Sequence, residues 1–129
     1  MIAKYPIIAQ RLRTVPKQFS WIDHRLVREH YIERCTHPAA ALYLFLVTVA
    51  DAQGLSYYAD ASIMQRLGME QSTLQEARCG LIRADLIAWK RPLYQVLSLD
   101  AVVTRQQAQN PMSLAEILQK AARRNHDRL

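Results

Sequence analysis

From Gln71 to Arg83 the chain reads QSTLQEARCGLIR, which sets five hydrogen-bonding side chains, Gln71, Ser72, Thr73, Gln75 and Glu76, ahead of a cation, Arg83. A Lys90-Arg91 pair follows shortly after. Amides and hydroxyls can pair with base edges or phosphate oxygens, a Gln can pair an adenine edge, and a carboxylate can accept from a cytosine amine. Cations on a projecting tip can hold a phosphate backbone. Chemistry of the bond-making kind has fewer candidates. His24, His30, His37 and His126 form no His-x-x-x-His pattern, and the two cysteines, Cys35 and Cys79, form no Cys-x-x-Cys pair. The three glycines cannot build a phosphate-cradling loop. Asp23, Glu29 and Glu33 form a solvated charged face with Arg25, Arg28 and Arg34. No catalytic residue, metal site or cofactor is therefore expected, and an enzyme is the least expected class.

The elements that must position the polar residues are readable from apolar spacing. In the stretch from Ser72 to about residue 84, Leu74, Ala77, Arg78, Leu81 and Ile82 share one helical face. Thr73, Gln75, Glu76, Cys79, Gly80 and Arg83 fall on the other. Arg78, near the apolar seam, is expected to bury its stem while its guanidinium pairs with a neighbour. Just upstream, ASIMQRLG predicts a two-turn helix with Ile63, Met64 and Leu67 as its stripe, Asp60 or Ser62 as its N-cap and Gly68 as its stop. Three residues join the two helices, a corner that projects the polar face of the second.

Downstream, LIAWKRPLYQVLSL predicts a hairpin with its tip at Lys90 to Pro92. Trp89 there could stack on a sugar or base, or pack on the hairpin. Upstream, THPAAALYLFLVTVADAQG predicts a helix capped by Thr36, with Pro38 in its first turn, Gly54 after its end, and Tyr43 and Phe45 in the core. GLSYYAD predicts one brief edge strand with one of Tyr57 and Tyr58 exposed. A helix of about ten residues is expected within Asp23 to Arg34, with Phe19, Trp21 and Tyr31 packed. SLAEILQKAARR opens with a Ser113-x-x-Glu116 capping box and carries Leu114, Ile117, Leu118 and Ala121 as a further amphipathic helix.

Composition bounds the class. At 129 residues, with 50% hydrophobic and 22% charged, the chain can bury a core without metal or disulfide staples. The longest apolar run, Ala39 to Ala50, is too short to span a bilayer, and no export signal is read at the N-terminus, so a cytoplasmic location and no membrane partner are expected. The net charge of +6 is uneven. Residues 1–34 hold seven Lys/Arg against three Asp/Glu (+4), residues 35–100 five against six (−1), and residues 101–129 five against two (+3). Basic flanks around a near-neutral middle suit a polyanionic partner, most simply nucleic acid.

The order central helix, short strand, helix ending Leu67-Gly68, three-residue turn, second helix, hairpin resembles the winged helix-turn-helix family. RLGMEQSTLQEA and GLIRADLI are its most specific pieces, and it covers about residues 38–99. Where the family often has Leu-Gly-Leu-Ser and then Gly-Leu-Ile, this chain has Leu67-Gly68-Met69-Glu70 and Asp85-Leu86-Ile87. Glu76 stands where many members present a cation. The resemblance implies an α+β, mostly helical fold: a basic N-terminal arm and helix (1–37), a winged helix-turn-helix (38–100), and a linker with a C-terminal helix (101–129). It also implies sequence-specific double-stranded DNA binding by helix 72–84 and wing 89–94, through Gln71, Ser72, Thr73, Gln75, Glu76, Arg83, Lys90 and Arg91. Transcription regulation, or replication or mobility of a genetic element, would be served, with a homodimer formed by the flanking helices. The basic arm and FSWIDHRLV also resemble the opening domain of plasmid replication initiators, DnaD-like primosomal proteins and small proteins carried beside transposases. The competing expectation is a winged helix that docks another subunit of a replication, transposition or defence complex without reading bases.

Overall fold

The computed structural model describes residues 2–100, so the expected linker and helix of residues 101–129 lie outside the described residues. The described chain is α+β. Helices α1 (Arg25–Arg28) and α2 (His37–Val49) precede strand β1 (Leu55–Tyr57). Helices α3 (Asp60–Leu67) and α4 (Gln71–Arg83) follow, then strands β2 (Ile87–Lys90) and β3 (Leu93–Val96). The three strands form one antiparallel sheet in the order β1-β3-β2, so β1 and β2 are its edges.

Helix α2 begins where Thr36 accepts a hydrogen bond from the Ala39 amide, with Pro38 in the first turn where a missing N–H costs nothing. It buries Ala39, Leu42, Leu46 and Val47. Its apolarity is greater than its burial, however. Leu44 is exposed, and Tyr43 and Phe45, expected in the core, are only partly buried against it, Phe45 edge-on to Tyr58. Among the described residues, no sheet or helix covers the side that carries Leu44. Leu42 and Leu46 meet Leu74 and Leu81 of α4, Ile63 of α3, Leu86, and Ile87 and Tyr94 of the sheet in the fully buried centre.

The region before α2 departs from expectation. The helix foreseen within Asp23 to Arg34 is split into the single turn of α1 and a 3-10 turn at Ile32–Arg34, because His30 takes a left-handed conformation (φ 65°) that ends the first turn. The split lets two residues reach the core from one short segment. Leu26 and Tyr31 are both buried, and the Tyr31 hydroxyl donates to the Leu99 carbonyl. Arg25 ties the segment down by bridging Asp23 and Asp100, and its hydrogen bonds hold both carboxyls below their ordinary range. Residues 2–22 lie on the surface with no regular element beyond a 3-10 turn at Ala9–Arg11. Phe19 and Trp21, expected to pack, are exposed.

Both helices of the central corner end alike. Gly68 is left-handed (φ 63°), and the Met69 amide returns to the Met64 carbonyl. At the end of α4 the Asp85 amide reaches Ile82 and the Leu86 amide reaches Leu81, the same stop built on a non-glycine at φ 64°. Asp85 thus occupies the glycine position that the sequence pattern marked. Inside α4, nothing beyond the helix's own backbone lies within 4 Å of where a Cβ on Gly80 would stand. Gly80→Ala is expected to raise the unfolding free energy by about 1 kcal/mol, read as a higher urea midpoint at unchanged slope.

Candidate nucleic-acid interface

Helix α4 presents its polar residues because its apolar spacing pins the opposite face. Leu74, Ala77, Arg78 and Leu81 are buried, leaving Gln71, Ser72, Gln75, Glu76, Cys79 and Arg83 exposed and Thr73 half-buried. The helix starts one residue earlier than expected, at Gln71. Glu70 stands at the N-cap in an extended conformation and contributes no side-chain cap. Asp60 is likewise no cap: Ala59 holds that position on α3 and Asp60 is the first helical residue. Its carboxylate is needed elsewhere.

That need is Arg78. The guanidinium, buried among apolar neighbours, donates at 2.8 Å to Asp60 Oδ1 and at 2.8 Å to the Tyr94 hydroxyl, with a longer contact of 3.4 Å to Asp60 Oδ2. It also lies over the Trp89 ring, 3.8 Å from the ring centroid. Burial opposes its charge, but the hydrogen bonds it donates to Asp60 and Tyr94 outweigh that and hold it protonated. Burial raises the Tyr94 hydroxyl's pKa, so the phenol stays neutral and accepts. One side chain thereby joins α3, α4, β2 and β3. A buried cation fits here because a carboxylate, a second acceptor and an aromatic face are all supplied together.

The same cluster orients the hairpin. Lys90 pairs with Leu93 in the ladder, so the loop is Arg91 and Pro92, and Lys90 belongs to the strand rather than the turn. Arg91 sits 5.5 Å from the Trp89 centroid, so two guanidinium groups contact the indole. Trp89 is half-buried and also packs on Tyr94. Lys90 and Arg91 are exposed.

The residues nominated from the sequence form two groups. Ser72, Thr73, Gln75, Glu76 and Arg83 line one groove along α4, and Arg34, with Thr36, lines its far wall. Gln71, Lys90 and Arg91 do not line that groove. Arg34 was missed, having been read as part of a solvated face. Its guanidinium rests 5.2 Å over the Tyr31 ring, and the fold alone brings it opposite α4. It adds a second cation to the lining of the groove that also holds Arg83 and Glu76. Among the described residues no group of three or more His, Cys, Asp and Glu could hold a metal, and no helix is long and apolar enough to cross a membrane. No protein-family model matches the sequence, and no curated protein or solved structure is significantly similar to it.

Proposed function

We propose that the chain is a winged helix-turn-helix protein that binds double-stranded DNA, with α4 in the major groove and the β2–β3 hairpin as the wing on the backbone. The observation that carries this reading is the division of α4. Its apolar face and Arg78 are locked into the core, while Gln71, Ser72, Gln75, Glu76 and Arg83 face solvent on a helix long enough to enter a groove. The element order, the three-residue corner and the β1-β3-β2 sheet support it further. Basic flanks supply salt-sensitive affinity that a middle with net charge −1 lacks. Control of transcription, or replication or movement of a genetic element, would use such a module, and two copies would cover a longer site than one helix can.

The test is binding of the full chain to mixed-sequence duplex DNA at low and high salt. The double variant Lys90→Ala/Arg91→Ala is expected to bind about tenfold more weakly with a salt slope shallower by roughly two, because two phosphate contacts are lost. No binding even at low salt would refute the reading. Selection from random duplexes decides sequence preference, and return of no motif would leave only non-specific binding.

A second reading is a protein-docking winged helix. It is favoured by Glu76 at the centre of the exposed face and by the net charge of −1 over residues 35–100. In that case α4 variants abolish capture of a partner subunit while DNA binding is absent throughout.

A further inference from the structure

A second groove lies on another face, between the segment around Trp21, the turn at residues 50–54, and residues 95–100. Its floor includes Tyr43 and Val47 of α2, and its lip carries Phe19 and Trp21, 62% and 74% exposed. Large apolar side chains on a rim are costly to leave in water and mark a surface that something covers. Its ionic lining is one-sided. Asp23, Asp51 and Asp100 stand against Arg25 alone, and that arginine is already shared between Asp23 and Asp100. The groove is apolar within and acidic at its edge.

We propose that this groove is the docking site for the cationic amphipathic stretch at residues 113–124 of the same chain. That stretch repeats Leu114, Ile117, Leu118 and Ala121 at helical spacing and carries Lys120, Arg123 and Arg124 beside them. The pattern is what an apolar groove with an acidic rim accepts. The chain also passes out of the described region at the groove itself, because residues 95–100 form one wall. The 12 residues from 101 to 112 separate Asp100 from Ser113. Extended, they span roughly 40 Å, ample to turn back across the opening. Tethering at this length sets a local concentration in about the millimolar range, which favours the chain's own segment over a second copy.

The experiment uses the full chain with Cys35→Ser and Cys79→Ser, a short bismaleimide, and two cysteine pairs compared by rate. One pair joins Gln53→Cys, on the groove, to Gln119→Cys. The other joins Gln65→Cys, exposed on α3 outside the groove, to the same Gln119→Cys. The groove pair is expected to cross-link about tenfold faster, at monomer mass. Adding Ile117→Asp and Leu118→Asp, which lie outside the described core, is expected to remove that advantage. Arg123→Ala/Arg124→Ala is expected to reduce it in a salt-dependent way. Equal rates for the two pairs, a groove rate indifferent to Ile117→Asp/Leu118→Asp, or products at dimer mass only would overturn the proposal.

Discussion

Arg78→Ala is expected to lower the unfolding free energy by about 3 kcal/mol, a fall in melting temperature of roughly 12 to 24 °C for a domain of this size. Three losses combine. The Asp60 carboxylate, about a quarter exposed, keeps its charge but loses its partner, the Tyr94 hydroxyl is left buried without its donor, and the Trp89 ring loses the guanidinium packed on it. Asp60→Ala leaves Tyr94 and Trp89 in place but strands the buried guanidinium without its carboxylate, so its cost should be comparable, about 3 kcal/mol. Arg78→Met restores the packing of the stem but not the hydrogen bonds, and should fall between wild type and Arg78→Ala. Urea unfolding of the three variants ranks them. An Arg78→Ala protein as stable as wild type would show that the cluster does not hold the hairpin to α4. If the proposed DNA-binding reading holds, the effect should also reach binding, because the hairpin's position relative to α4 depends on Trp89 packing against Arg78.

Gly54→Ala is expected to cost about 2 to 4 kcal/mol. The residue has φ 85°, and an added Cβ would stand 2.6 Å from the Val96 carbonyl oxygen. Neither party can yield easily. The Gly54 carbonyl accepts from the Val96 amide at 2.8 Å, and its own amide donates to the Asp51 carbonyl, so moving the turn breaks the link between the end of α2 and the sheet. Gly80→Ala is the matched control, with the same chemical change and the opposite sign. A Gly54→Ala variant whose denaturation midpoint equals that of wild type would contradict the close approach.

Much of the fold was legible because its elements carry their own periodicity. Helix α2 shows its cap at Thr36, α3 its stop at Gly68, and α4 its buried face at Leu74, Ala77 and Leu81, all within a few residues of chain. The hairpin and the brief edge strand were legible for the same reason, and of the tyrosine pair it is Tyr57 that is exposed. The failures share a cause as well. The break at His30 depends on Leu26 and Tyr31 both reaching a core that the local pattern does not display. Asp60, offered with Ser62 as a cap because such residues so often cap helices, instead has its partner 18 residues away. Phe19 and Trp21 were assigned to packing by residue type, which measures the tendency to be buried and not the presence of a covering surface.

Neighbours three or four residues apart and a count of charges suffice for the succession of helices and strands, the polar face of α4, the buried stem of Arg78 and the basic flanks. That Arg78 is met by Asp60, Tyr94 and Trp89, that Arg34 and Arg83 line one groove, and that Tyr31 reaches Leu99 came only from the folded chain. Such pairings require the chain to return on itself, and which distant groups then meet is set by how the whole core packs.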